Sequence, residues 1–308
     1  MLSRWIAAVA VLITPGAAAA QNWSGFYIGA DVGVSSGRLR ASGADSIFQL
    51  TNINPPGTQP LTVVPGTTIS YSGSNNRAAF VYGGEVGFLV RSGNVLFGLE
   101  GDAHGPRNSG SVTTTSPKPA TALEPPGTIT INRSARFSWD WSARARIGYT
   151  WGPAMIYAAG GIAGTRVRLN GADTYLVPAG NAAPTAGSAP FATPTIGPVV
   201  TASSTRGTLT GWTAGIGGER MVASHVSIGL DARYTSFGSH TLDLGSCIPN
   251  TACGNGATVT GGTITFPAGT APASISLGTS DAYPGAAPGV TRITLNEWRA
   301  TARLVFHF

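Results

Sequence analysis

The stretch that decides the fold is "SWDWSARARIGYTWG", Ser138 to Gly152. Its odd positions read Trp139, Trp141, Ala143, Ala145, Ile147, Tyr149 and Trp151; its even positions read Asp140, Ser142, Arg144, Arg146, Gly148 and Thr150. A period of two with unlike faces is a β-strand. A soluble protein would bury the aromatic row in a core. A membrane barrel would turn it outward to lipid and place the arginines inside.

Composition favours the barrel. Charged residues are 10% of the 308-residue chain, against roughly 25% in an ordinary soluble domain. Lys118 is the single lysine. A one-sided soluble sheet needs a polar outer face, and few residues here could build one. Residues 1–20 read as a secretory signal: Arg4, the apolar run "WIAAVAVLI", the breakers Pro15 and Gly16, then small residues at Ala18–Ala20. The barrel domain is expected over 21–308. The apolar run is too short to span a bilayer, and no later segment is long and apolar enough to cross as a helix. Insertion would therefore be as a closed barrel.

Eight period-two segments follow. Apolar faces run through Phe26, Ile28 and Val32; through Phe80, Tyr82 and Val86; through Val95, Phe97 and Leu99; and through the opening stretch. A fifth segment, 154–170, is assigned Met155, Tyr157, Ala159, Ala163, Val167 and Leu169 toward lipid, although Ile156 and Ile162 fall on the other parity. The last three show Trp212, Ala214 and Ile216; Val226, Ile228 and Leu230; and Trp298, Ala300 and Leu304. Of the thirteen acids, eight take the polar parity: Asp31, Glu85, Glu100, Asp102, Asp140, Glu219, Asp231 and Glu297. Ten arginines are read onto the same face: Arg77, Arg91, Arg136, Arg144, Arg146, Arg166, Arg168, Arg233, Arg299 and Arg303. A charge turned toward mid-bilayer costs about 2–4 kcal/mol for Arg or Lys, and this pattern avoids it.

The fold expected is all-β: an eight-stranded antiparallel up-and-down transmembrane barrel with short periplasmic turns and four long external loops. Trp141 to Trp151 and Trp298 to Phe308 are each ten residues apart. Such a separation spans roughly 25 Å in a tilted strand, the height of an outer-membrane apolar band. Trp139, Trp141, Trp151, Trp212, Trp298 and Phe306 are the expected aromatic girdle. The loops expected at 39–76, 105–133, 171–205 and 240–291 hold 19 of the 21 prolines. Pieces such as "GTTISYSG" and "ATVTGGTITF" have β-character that would extend strands beyond the membrane.

Eight strands leave a lumen that side chains fill. The expected lumen network is Glu85, Glu100, Asp102, Asp140, Arg144, Arg146, Arg166, Arg168, Glu219, Asp231, Arg233, Glu297, Arg299 and Arg303. Near-balanced charges suit a paired, closed interior.

"NWSGFYIGADVG", "GWTAGIGGE" and the terminal "RLVFHF" resemble small alphaproteobacterial outer-membrane β-barrel proteins, the porin-like or opacity-like group with OmpA-type architecture. The resemblance implies insertion by the outer-membrane assembly machinery, which reads a C-terminal aromatic such as Phe308. It implies no single activity, since members are described as surface antigens, envelope-stabilising proteins, porins and haemin binders. Gly218-Glu219-Arg220 departs from the family's usual apolar-Glu-aromatic pattern at that strand.

Chemistry-bearing motifs are few. Of the four histidines, His104 beside Asp102 is the one catalytic candidate, and a hydrogen-bonding lumen residue is the plainer reading. "GIGG" lacks the strand–loop–helix context of a phosphate loop. The net charge of +6, or +5 without Arg4, comes from scattered arginines, so nucleic acid is not an expected partner. No cofactor, metal or catalytic set is expected. Cys247 and Cys253 in "CIPNTAC" read as a short disulfide loop of an exported protein. The expected surroundings are outer-membrane lipid and lipopolysaccharide. Two function classes remain: a structural and surface-display barrel, or a diffusion pore.

Overall fold

The computed structural model describes residues 23–52, 62–105, 109–118, 126–177, 195–245, 258–260, 263–265, 274–276, 285–287 and 289–308. These form one antiparallel sheet that closes on itself. Its strands are β1 (Gly25–Asn52), β2 (Thr62–Ser92), β3 (Val95–Gly105), β4 (Ser109–Lys118), β5 (Gly127–Trp151), β6 (Ala154–Val177), β7 (Thr195–Ala223), β8 (Val226–Asp243), β9 (Thr258–Thr260), β10 (Thr263–Thr265), β11 (Ser274–Ser276), β12 (Gly285–Ala287) and β13 (Val290–His307). β3 and β4 lie end to end along β5, pairing with Asp140–Tyr149 and Gly127–Arg136, and together make one wall. The ring therefore has eight walls. β7 pairs with β8, β8 with β13, and β13 with β1 to close it. The short strands trim the far rim on β1 and β7.

A transmembrane strand needs about 9–11 residues. β1, β2 and β7 run 28, 31 and 29 residues, so the walls continue far past the bilayer. Segments expected as external loops are to a large extent strand. At the opposite end the turns are tight, and Gly93 and Gly152 take the positive φ (60° and 55°) that such hairpins need.

The outer face of the near-terminal half is apolar. Phe26, Leu99, Ile216, Trp298 and Phe308 are all more than 60% exposed, a surface that lipid covers. Its upper edge is an aromatic row in which Tyr234 sits 5.5 Å from Trp212 and 4.9 Å from Trp298. Trp139, Trp151 and Phe306 are also exposed outward, and Trp141 lies partly covered over Gly164.

Two features correct the sequence reading. First, the fifth segment is inverted. Met155, Tyr157, Ala159, Ala163, Val167 and Leu169 are buried inside, and Ile156 and Ile162 face lipid. The assignment failed because this barrel's interior contains apolar layers, so an apolar face is not always a lipid face. Arg166 and Arg168, placed in the lumen by that reading, point outward, as does Arg136. They sit above the aromatic row, where the outer face meets polar surroundings and a charge carries no bilayer penalty. Second, the register slips between Phe137 and Asp140, where Ser138 and Trp139 both face outward. This bulge moves the inward set of β5 from odd residues (Arg133, Ala135, Phe137) to even ones (Asp140, Ser142, Arg144).

The interior is stacked in layers. At the turn end, Trp23, Tyr27, Leu89, Leu96, Met155 and Met221 form an apolar cluster. Trp23 stands edge-on to His307 at 5.4 Å. Charged residues fill the next layer. Above them Leu39, Phe137, Val167, Leu209, Phe237 and Leu295 make a second apolar cluster.

Candidate functional site

The charged layer between the two apolar clusters draws on all eight walls. Alternation puts every second residue of each wall inside, and Gly29, Gly87 and Gly217 make room for their long neighbours. A Cβ at Gly87 would strike the Tyr27 ring, and one at Gly217 the Tyr157 ring. Glu100 is the centre. It accepts from Arg144, Arg146, Arg303 (2.7 Å) and Tyr27 Oη (2.7 Å). Arg303 also reaches Glu85 across the β13–β1 seam, with Nε donating at 2.8 Å, and donates to Tyr157 Oη. Arg146 Nη1 donates to Glu219 at 2.9 Å and its guanidinium stacks on Tyr157 at 3.9 Å. Asp231 takes Tyr157 Oη at 3.0 Å and lies 3.2 Å from Arg233 Nε.

A second group lies above it. Arg233 Nη1 donates to Asp102 at 3.0 and 3.1 Å, and Ser142 donates to Asp102 at 2.5 Å. His104 is held between Asp31 (3.0 Å) and Asp102 (3.1 Å). Arg299 joins Asp140 (2.5 Å) and Glu297 (2.9 Å). Thus Glu85, Glu100, Asp102, Asp140, Arg144, Arg146, Glu219, Asp231, Arg233, Glu297, Arg299 and Arg303 meet in one buried network. Arg166 and Arg168 do not. Of the ten arginines and eight acids read onto the polar face, five arginines and all eight acids (Asp31 included) are buried inside, not the near balance expected. The difference is Arg136, Arg166 and Arg168 outside, Arg77 exposed midway along β2, and Arg91 exposed near its turn end.

A third interior cluster was not foreseen. Above the second apolar layer, Arg133 is fully buried and shared by two carboxylates. It donates to Asp45 at 2.5 Å and to Asp173 at 2.6 Å. Its Nε donates to Tyr71 Oη at 3.2 Å, and Tyr71 lies 2.6 Å from Thr291 Oγ1. Two acids on one guanidinium leave a net negative charge away from water. Burial, with Asp45 adding its repulsion, pushes the Asp173 carboxyl up to about 7 against the pull of Arg133; burial raises Asp45 as well. The signal that would have found this cluster is the odd parity of Ile129, Ile131 and Arg133, which continues to Phe137 and breaks only at the bulge.

Phe308 is exposed outward, its N–H donating to the Phe26 carbonyl at 2.9 Å. The pair Cys247 and Cys253, and residues 1–20, lie outside the described residues. Among the described residues, no group of three or more His, Cys, Asp or Glu side chains could hold a metal ion.

Three solved structures that the chain resembles are remote in sequence. Ail, the attachment invasion locus protein of Yersinia pestis, is 10% identical with a TM-score of 0.25, covering 90% of this chain and 98% of that one. The outer membrane protease OmpT of Escherichia coli is 8% identical with a TM-score of 0.31, covering 92% and 97%. OprG of Pseudomonas aeruginosa is 9% identical with a TM-score of 0.28, covering 94% and 99%. No curated relative matches the sequence. The model of the outer membrane protein beta-barrel domain matches residues 5–269. That match spans well over half of the chain, and the chain belongs to the outer membrane protein beta-barrel domain family, a protein of the cell outer membrane.

Proposed function

We propose that this protein is a closed barrel with a structural and surface-display role rather than a diffusion pore or an enzyme. The observation that carries this reading is the stacking of the interior. A network built from all eight walls is sealed below by the Trp23 cluster and above by the Phe137 cluster. An eight-stranded lumen has no spare width once such side chains meet, and opening it would strand charges in a confined space. A non-catalytic reading is supported by His104, which is 2% exposed and enclosed by Asp31, Asp102 and Arg233.

Within the family we place the chain with the small porin-like group of OmpA-type architecture. Phe308 is then the signal for the assembly machinery, residues 1–20 the cleaved signal, and the long strand extensions the surface that meets the outside. Planar-bilayer recording of the purified protein tests the reading. The expected result is no steady conductance. A large, stable conductance from the monomer would replace it with the porin.

A further inference from the structure

The outer wall above the aromatic row carries an arrangement that the closed-barrel role does not use. Arg136, Arg168 and Arg206 are direct cross-strand partners on β5, β6 and β7, and all three are exposed. Neighbouring strands lie about 4.8 Å apart, so three guanidinium stems leave the wall within about 10 Å. Like charges set directly opposite destabilise a sheet. Among the described residues none of the three forms an ion pair. Asp243 is the one exposed acid among the described residues, and its carboxylate accepts from Gly245 N–H at 2.8 Å. A fourth arginine, Arg166, stands two residues nearer the membrane than Arg168, with its guanidinium 5.3 Å from the Trp139 ring. The four arginines border a depression of about 490 Å³ on the outside of the barrel. A second depression of about 560 Å³ shares Arg168 and Arg206 and adds Ser204, Thr241 and the carboxylate of Asp243.

Height identifies the occupant. Interfacial Trp side chains mark the boundary between acyl chains and headgroups. Arg136 is three residues beyond Trp139, about 8 Å along a tilted strand. The row therefore lies at headgroup depth, facing the bilayer and not the lumen. Arginine forks match phosphate oxygens in pairs, and the adjacent outward hydroxyls of Ser204 and Thr208 suit sugar. The wall opposite differs. Arg38 and Arg40 on β1 face Asn76 and Ser74 on β2, and Asn296 and Thr294 on β13, with no arginine in register.

We propose that Arg136, Arg166, Arg168 and Arg206 bind the phosphate groups of a phosphorylated glycolipid of the outer leaflet. Among the described residues this face sets one carboxylate, Asp243, against the arginines; the ligand supplies the remaining negative charge and relieves the repulsion within the row.

The test uses the full-length barrel refolded in detergent, with lipid A and chemically dephosphorylated lipid A as probes, read by native mass spectrometry. Folding is verified by heat-shifted gel migration. Wild type should retain lipid A. The triple variant Arg136→Gln, Arg168→Gln, Arg206→Gln should bind at least about tenfold more weakly, as loss of several charge-assisted bonds implies. Arg168→Gln alone should give a smaller loss in the same direction, which keeps the test open if the triple variant folds poorly. The pair Arg38→Gln, Arg40→Gln should bind as wild type. Equal retention by wild type and the folded variants would overturn the proposal, as would equal retention of the dephosphorylated lipid. Displacement of lipid A by an equimolar amount of inorganic phosphate would overturn the glycolipid assignment.

Discussion

The same eight walls obey opposite rules above and below the Trp212–Tyr234–Trp298 row. Below it, outward residues are apolar and the interior is dense with charge. Above it, outward residues include Arg38, Arg40, Arg136, Arg166, Arg168, Arg206 and Arg292, while the interior is apolar apart from the Arg133 cluster. The solvent outside the wall decides. Lipid excludes charge from the lower exterior, so the charge of the membrane-level wall lies inside, and Arg91 and Arg220 stand only at the turn end. Water and headgroups accept charge on the upper exterior, so arginine is free to face out and the interior closes by ordinary hydrophobic packing.

Removing one partner from the lower network should give the largest effect. Glu100→Gln leaves Arg144, Arg146 and Arg303 short of their shared acceptor, and should cost about 3–5 kcal/mol in the folding free energy obtained from urea titration in bilayers. The variant should also conduct more than wild type. Unchanged stability would show that the two halves do not differ as described.

Next comes the exterior. Ala214→Arg turns a charge toward mid-bilayer and should cost about 2–4 kcal/mol, visible as loss of the heat-shifted folded band. Its neighbour Thr213 is 2% exposed and faces inward, bonding the Tyr234 carbonyl at 3.2 Å. Thr213→Ser should be silent. If Ala214→Arg folds like wild type, β7 faces the other way.

Arg133→Met in the upper cluster should cost less, about 1–3 kcal/mol, because Asp45 and Asp173 can take up protons in place of the lost cation. Protease resistance of the strand extensions should fall while the membrane-level strands stay protected. Equal loss in both halves would mean that they unfold as one unit.

The smallest effect is with pH. Asp173 in the folded chain holds its proton up to about 7, whereas an unfolded aspartate releases it near about 4. Between those values the folded state binds more protons, so its stability falls as pH rises through the window. Protection factors in the upper strands, corrected for the pH dependence of intrinsic amide exchange, should be higher at pH 5 than at pH 8. The reverse order would mean that Arg133 holds both carboxylates ionised.

The lower half was largely legible from period two alone, because the lipid penalty acts on every wall at once. That constraint places Glu100 and Arg144 inside and Trp298 outside without any structure. It vanishes above the aromatic row, and there the reading fails. Arg166 and Arg168 were put inside by a rule that no longer applies at their height. The inversion of β6 has a second cause. A strand whose inner face lines apolar layers looks like one facing lipid, and only Ile156 and Ile162 betray the difference. Arg133, Asp45 and Asp173 were missed because the β5 bulge at Ser138–Trp139 breaks the parity count, and because Gly- and Thr-rich segments look alike as loops and as extended strand.

The β13–β1 seam gives the lower network a kinetic meaning. Arg303 on β13 finds Glu85 on β2 only once the first and last strands are side by side. Arg299 likewise reaches Asp140 across the lumen. Zipping the seam, expelling water and pairing these charges are therefore one event. A half-zipped barrel would hold wet, unpaired arginines, and would have little reason to linger between open sheet and closed ring.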